Sequence, residues 1–263
     1  MSLERCKISV KKCLTGFHDL ASFSITLLES LHTATVFGEI SSANVVGYNG
    51  SSLKANTYYM VATHFDEVAG TGTGIAIKDL VTGNVPYGTE LSILRPTGGY
   101  DIYKYLEEAY DEATDDFIPG WGDGADNLAA RKVTPGMVFW LKAPSDSNVT
   151  IAGGVLADAS KAISFVAKEY SMLGNPYPVA VNPNALTWEG LTFGDELSVL
   201  KPTGSGYDIY KYLEEAYDET TDDFIPGWGD GADNMITTGI IPVGQGAWIK
   251  PAAALTATFA SPL

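Results

Sequence analysis

Residues 100–127 read YDIYKYLEEAYDEATDDFIPGWGDGADN, and residues 207–234 read YDIYKYLEEAYDETTDDFIPGWGDGADN. The two stretches differ only where Ala113 is replaced by Thr220, and they begin about 107 residues apart. A repeat of this length has the size of a domain, whereas solenoid repeats are far shorter. The chain is therefore predicted to contain two tandem units of the same fold.

The match continues more loosely on both sides of these stretches. Residues 90–97 (ELSILRPT) correspond to residues 196–203 (ELSVLKPT), and the strand-like residues 138–142 (VFWLK) correspond to 246–250 (GAWIK). This correspondence places a first domain at residues 39–152 and a second at residues 153–263.

The first 38 residues resemble an export leader. A basic start, from Arg5 to Lys12, precedes the apolar stretch LASFSITLL of residues 20–28, and small or aliphatic residues follow at 36–38. Glu29 interrupts the pattern, so an amphipathic helix or a misplaced start codon stays open. Both cysteines of the chain lie in this segment, so the exported part would have no disulfide. We expect a protein that is secreted, either extracellular or at the cell surface.

The charge balance excludes two classes of partner. The 263 residues include 32 acidic and 16 basic side chains, for a formal charge of −16. Nucleic-acid binding depends on Lys and Arg that neutralise phosphates, so DNA and RNA are not expected as partners. No run of about 20 apolar residues is present, so membrane insertion is not expected either.

Short apolar runs separated by turn residues at intervals of roughly ten predict an all-β fold, with one β-sandwich-like domain per repeat. The dipeptide Asn49-Gly50 favours a two-residue hairpin turn. Residues 100–106 alternate well enough for a strand. Residues 107–116 begin with the helix-favouring Glu-Glu-Ala, and we expect an irregular segment or one helical turn there.

The second unit resembles the repeated β-sandwich modules of large secreted bacterial surface proteins, which carry a G-N-P-Y-P segment and a later G-Q-x-F-W strand. The matching residues are 174–178 (GNPYP) and 244–248 (GQGAW), with 194–197 (GDEL) and 207–212 (YDIYKY) between them. The first unit matches less well, because Thr63-His64-Phe65 stands in place of the first motif. The resemblance implies export and a β-sandwich, and it implies no catalytic residues.

The acidic repeat is the candidate for chemistry, since each copy carries nine acids against one lysine. Carboxylate, amide and backbone oxygens are the ligands of Ca²⁺, which makes calcium the candidate cofactor. The same residue types also form turns and keep a surface soluble, and this alternative stays open. The candidate metal ligands are Asp115, Asp116, Asp123, Asp126 and Asn127, with Asp222, Asp223, Asp230, Asp233 and Asn234 in the second copy.

A third interpretation is a contact surface, because aromatic residues alternate with the acids and aromatic residues dominate interface energetics. Near-identity of the two copies fits a segment that makes the same contact twice, although a recent duplication explains it equally well. The candidate contact residues are Tyr103, Tyr105, Tyr110 and Trp121, with Tyr210, Tyr212, Tyr217 and Trp228 in the second copy; Phe117 lies among them.

Catalysis is not expected. His64 is the one histidine of residues 39–263, it has no counterpart in the second unit, and it is better explained as a strand-end residue than as a base. The same part of the chain lacks the histidine and cysteine ligands that zinc requires.

We therefore expect a non-catalytic structural protein that assembles with itself into an extracellular fibre, tube or surface layer. Residues 252–260 are an apolar tail that would serve either as the last core strand or as an added strand between subunits. The alternative is a module that binds carbohydrate or surface glycans in adhesion, with Trp121 and Trp228 as stacking platforms.

Overall fold

Nearly all regular structure in the chain is β-strand, which confirms the predicted all-β fold. The computed structural model describes residues 46–67, 72–202 and 204–262, so the predicted leader at residues 1–38 lies outside the described residues. The described residues belong to a single compact unit. They form one helical turn, α1 (Ile77–Leu80), one 3₁₀ turn (Pro183–Ala185) and the following strands: β1 (Val46–Leu53), β2 (Tyr58–Ala62), β3 (Phe65–Asp66), β4 (Ile75–Ala76), β5 (Val81–Gly83), β6 (Glu90–Leu94), β7 (Tyr100–Asp111), β8 (Asp116–Gly122), β9 (Lys132–Val133), β10 (Val138–Lys142), β11 (Ser147–Val155), β12 (Ser160–Phe165), β13 (Ser171–Leu173), β14 (Thr187–Glu189), β15 (Glu196–Leu200), β16 (Tyr207–Asp218), β17 (Asp223–Gly229), β18 (Ala247–Lys250) and β19 (Leu255–Ala260).

The strands form antiparallel sheets that correspond between the repeats. The first five-stranded sheet has the order β2-β10-β6-β7-β8, and the second has the order β13-β18-β15-β16-β17. Each is accompanied by a smaller sheet. In the first repeat β11 pairs with β1 on one side and with β3 and β5 on the other, and in the second repeat the order is β12-β19-β14. A two-stranded ribbon, β4-β9, completes the first repeat.

Each repeat has its own hydrophobic core, to which both of its sheets contribute. In the first, Leu91 and Phe139 of the five-stranded sheet and Val149 of the four-stranded sheet belong to one buried cluster. In the second, Leu197 and Phe259 belong to the corresponding cluster. Inward-facing residues alternate with more exposed ones along many of these strands, as in a β-sandwich.

Strand β7 is longer than the sequence predicts. It continues through Asp111, where we expected an irregular or helical segment over residues 107–116, and the turn covers only residues 112–115. A register shift between Leu106 and Ala109 marks an irregularity in its pairing with β8. The helix preference of Glu-Glu-Ala is overridden because β8 supplies a partner for the whole strand.

The expected turn at Asn49-Gly50 is also wrong. Both residues lie within β1 and pair with Ile151 and Thr150 of β11. Neither has a positive φ angle, which the predicted turn type requires. The nine-residue partner strand therefore decides the local conformation.

The apolar tail is a central strand. β19 pairs with β12 on one side and with β14 on the other, so its backbone is already used within the chain. The boundary predicted between residues 152 and 153 falls inside β11, which pairs with β1 as far as Gly154. Strand β11 therefore belongs as a whole to the first repeat.

The two repeats contact each other through the outer faces of the five-stranded sheets. Met60, Ala62 and Val138 form a buried cluster with Trp140 and with residues of the second repeat. The backbone N–H of Ala62 also donates to the carbonyl oxygen of Gly244 at 2.9 Å. Among the described residues, no helix combines the length and the apolar character needed to cross a bilayer.

Candidate functional site

The acidic repeat folds into two hairpins of the same geometry. We call β7 with β8 (residues 100–122) the first acidic hairpin and β16 with β17 (residues 207–229) the second. In the first, β6 pairs with β7 only from Tyr100 to Lys104, so the rest of β7 has β8 as its strand partner. Equivalent residues pair in the second hairpin, with Ala216 opposite Ile225 as Ala109 is opposite Ile118.

The acids at each hairpin tip stabilise its turn. Asp111 accepts hydrogen bonds from the backbone N–H of Ala113 (3.0 Å) and the hydroxyl of Thr114 (3.1 Å). Asp115 adopts a positive φ of 57° and accepts a hydrogen bond of 2.8 Å from the hydroxyl of Tyr110. That bond, with burial as the second cause, raises the pKa of Tyr110.

The second hairpin repeats this tip. The hydroxyl of Tyr217 donates to Asp222 at 2.8 Å, and Asp222 also has a φ of 57°. Asp218 accepts from the backbone N–H of Thr220, and this bond is the largest cause that lowers the pKa of Asp218. The single difference between the copies, Ala113 against Thr220, leaves the turn unchanged.

The loop that follows each hairpin is held by a further aspartate. Asp123 accepts hydrogen bonds from the backbone N–H groups of Ala125 (2.9 Å) and Asn127 (3.1 Å). In the second copy, Asp230 accepts from Ala232 and Asn234, and the bond from Ala232 is the main cause that lowers its pKa. Aspartate side chains that bond backbone N–H groups two residues ahead are characteristic of turns.

The predicted metal ligands are not gathered into one cluster. Among residues 46–67, 72–202 and 204–262, no group of three or more His, Cys, Asp or Glu side chains is placed so that it could hold a metal ion. The hydrogen bonds above instead assign Asp115, Asp123, Asp222 and Asp230 to the turns of their own hairpins and loops. A calcium site within one copy stays a prediction from the sequence.

The predicted contact residues divide into three groups. Trp121 and Trp228 are only 1% and 0% exposed and belong to the two cores, so neither indole offers a face to a ligand. Four tyrosines are half-buried and pack against the same cores: Tyr103, Tyr105, Tyr210 and Tyr212. Tyr110 and Tyr217 lie at the hairpin tips, and each packs on a phenylalanine.

Those phenylalanines are the most exposed apolar side chains of the hairpins. Phe117 is 61% exposed and Phe224 is 60% exposed. The ring of Phe117 lies 5.4 Å from that of Tyr110, and the corresponding distance in the second hairpin is 5.3 Å. Exposed acids surround both rings, among them Glu107, Glu108 and Glu112 in the first hairpin. Each tip thus presents an aromatic pair bordered by carboxylates.

The outer strand of each hairpin is poorly suited to pairing with another chain. β8 and β17 are the edge strands of their sheets, and they contain Pro119 and Pro226. Proline has no N–H to donate, and proline at an edge is a known device against strand addition. A contact at the hairpins would therefore be made by side chains.

His64 lies away from the hairpins, next to the contact between the repeats. It is 3% exposed, its ring lies 4.1 Å from that of Phe65, and burial lowers its pKa to about 4. Its Nδ1 atom is buried and makes no hydrogen bond within the described part of the chain. His64 is therefore neutral at physiological pH.

The chain was also compared with known proteins. Comparison with protein-family models, with curated protein sequences and with solved structures finds no match.

Proposed function

We propose that the protein is a secreted, non-catalytic structural protein whose copies join through the tips of their acidic hairpins into an extracellular fibre, tube or surface layer. The observation that carries this proposal is the pair of exposed phenylalanines, Phe117 and Phe224, in matching surroundings on one chain. The export step is supported by the leader-like pattern of residues 1–38.

An exposed phenylalanine favours contact with a partner. Burial of an apolar side chain contributes roughly 1.5–3 kcal/mol, and large aromatic residues are enriched among the residues that dominate binding energy. Tyr110 and Tyr217 widen each apolar surface, because their rings pack on Phe117 and Phe224. The two tips therefore offer the same small aromatic surface.

Two matching surfaces on one chain suit a linear assembly. A chain with one such surface forms at most a pair with a second copy, whereas a chain with two can join a neighbour at each. When the tip of one copy meets the tip of the next, Phe117 or Phe224 of each copy is covered, and the ends of the growing assembly keep one unused tip.

The charge at the tips makes this contact dependent on cations. Two carboxylates about 4 Å apart repel each other by about 4 kcal/mol at an effective dielectric constant of 20. A tip-to-tip contact brings acids of two copies together, which supplies the several oxygen ligands that calcium takes. One copy alone places no such group among its described residues. We therefore propose that calcium acts between copies.

Strand addition plays no part in this proposal. The apolar tail is already paired on both sides as β19, and Pro119 and Pro226 lie in the edge strands of the hairpins. The proposed contact is formed by side chains at the tips.

The test is negative-stain electron microscopy and sedimentation velocity of residues 39–263, with calcium at about 1 mM or with a chelator. We expect extended particles with calcium and single copies with the chelator, and magnesium at the same ionic strength is the control for simple screening. A chain that sediments as a monomer across this range of calcium would refute the proposal.

A further inference from the structure

A groove of about 690 Å³ lies between the two repeats, away from the hairpin tips. Its floor belongs to the first five-stranded sheet, where Ser92 pairs with Trp140 on one side and with Ile102 on the other. Side chains opposite each other in adjacent strands lie on the same face, so these three form one row. The groove is lined by Asn56, Thr57, Tyr58, Ser92, Tyr100, Ile102, Trp140, Leu200, Gly204, Gly206 and Tyr207.

The walls are aromatic and accessible. Tyr58 is 48% exposed, while Tyr100 and Tyr207, which occupy equivalent positions in the two repeats, are each 37% exposed. Tyr58 and Trp140 pack edge to face with ring centroids 6.1 Å apart. The ammonium group of Lys142 lies 5.0 Å from the centre of the Tyr58 ring and helps to hold it in place. These side chains give a ligand several aromatic surfaces.

The floor contains a polar group without a partner. Ser92 is only 8% exposed, and its hydroxyl makes no hydrogen bond with any described residue. The equivalent Ser198 of the second repeat, in contrast, hydrogen-bonds Glu196 at 3.4 Å. Buried hydroxyls are normally hydrogen-bonded, so Ser92 is positioned to bond a ligand that enters the groove.

The lining selects a neutral ligand rich in hydroxyl groups. The lining residues carry hydroxyls and an amide but no carboxylate, ammonium or guanidinium group, so a charged ligand finds no partner among them. The chain's charge of −16 also repels anions. A wholly apolar ligand would leave the hydroxyl of Ser92 unpaired, which is unfavourable. Sugar rings satisfy both requirements, because their C–H faces stack on aromatic rings and their hydroxyls donate and accept.

We propose that this groove binds a neutral oligosaccharide, with Tyr58, Tyr100 and Tyr207 as stacking surfaces and Ser92 as a hydrogen-bonding partner. The site replaces Trp121 and Trp228, which the sequence suggested as sugar platforms and which lie in the cores. It does not depend on the hairpin tips, so binding and assembly are separable activities.

The test uses five soluble hexasaccharides as probes: cellohexaose, maltohexaose, mannohexaose, xylohexaose and hexa-N-acetylchitohexaose. Binding is measured by isothermal titration calorimetry and by tryptophan fluorescence. We expect at least one probe to bind with a Kd of about 1 mM or tighter. Tyr100→Ala and Ser92→Ala should each weaken that binding about fivefold to tenfold, because each removes one contact with the ligand.

Tyr48→Ala is the matched control, because Tyr48 is 82% exposed on β1 and does not line the groove. It should leave binding unchanged, and melting temperatures check that all variants are folded. Phe117→Ser should also leave binding unchanged, which separates this proposal from the proposed assembly. The proposal is overturned if no probe binds at about 10 mM, or if Tyr100→Ala and Ser92→Ala bind as the unchanged protein does.

Discussion

Trp140 and Trp248, which occupy equivalent positions in the two repeats, contact each other with ring centroids 6.3 Å apart. Each also packs edge to face against a tyrosine of its own repeat, Tyr58 at 6.1 Å and Tyr170 at 6.2 Å. The four rings form a continuous row across the contact between the repeats. Equivalent residues therefore meet, and the two repeats belong to one compact unit.

This row predicts an energetic coupling between the two tryptophans. Trp140→Ala and Trp248→Ala should each lower the free energy of unfolding by about 2–3 kcal/mol, because each deletes a half-buried ring. The double variant should lose about 1 kcal/mol less than the sum of the two, since the ring contact is lost only once. Urea denaturation of the four proteins in this cycle measures the coupling.

The control cycle combines Trp140→Ala with Trp188→Ala. Trp188 packs on Trp228 inside the second repeat and has no ring contact with Trp140. These two effects should add to within about 0.5 kcal/mol. Additive effects of Trp140→Ala and Trp248→Ala would mean that the tryptophan contact contributes nothing to the joining of the repeats.

A second prediction concerns the close backbone approach at Gly174. A Cβ atom there would lie 2.6 Å from the carbonyl oxygen of Gly136 and 2.8 Å from Cγ2 of Val138, both in the other repeat. Gly174→Ala should therefore destabilise the protein by about 1–3 kcal/mol through overpacking. Gly50→Ala is the matched control, because a Cβ at Gly50 meets nothing within 4 Å. Thermal denaturation that ranks the two variants equally would contradict the described packing.

A third prediction concerns the pH dependence of stability. Burial lowers the pKa of His64 to about 4, whereas the unfolded chain has a histidine pKa of about 6.5. Between these values the unfolded state binds more protons, so the stability contribution is complete above about pH 6.5 and is lost as the pH falls towards 4. The loss reaches up to about 3 kcal/mol.

The variant His64→Gln isolates this effect, because glutamine does not titrate and every carboxylate is common to both proteins. The difference in free energy of unfolding between the two proteins should change between pH 7 and pH 4.5, with the unchanged protein losing more on acidification. Urea denaturation across this range provides the measurement. Parallel pH curves would show that His64 is accessible to protons in the folded state.

Part of this structure could be predicted from the sequence. The spacing of turn residues was sufficient for the all-β fold, since apolar runs of about five residues between glycines and prolines fit strands better than helices. Local preference was misleading where a long partner strand was available. Asn49-Gly50 lies inside β1, and residues 107–111 extend β7, because β11 and β8 supply their hydrogen bonds.

Side-chain positions were harder to predict than strands. Trp121 follows Gly120 in β8 and both are buried, so strict alternation does not hold at the end of that strand. Phe117, four residues earlier, is exposed. The groove gave no signal in the sequence, because Ser92, Trp140 and Tyr207 are far apart along the chain and meet only when the repeats pack together.

The central claim, that the hairpin tips join copies of the chain, is tested most directly by particle masses in the presence of calcium. Mass photometry would compare the unchanged chain, Phe117→Ser, the double variant Phe117→Ser/Phe224→Ser, and the control Tyr48→Ser. We predict long assemblies for the unchanged chain and the control, dimers at most when one tip is changed, and monomers when both are changed. Long assemblies of the double variant, or monomers of the unchanged chain, would contradict the claim.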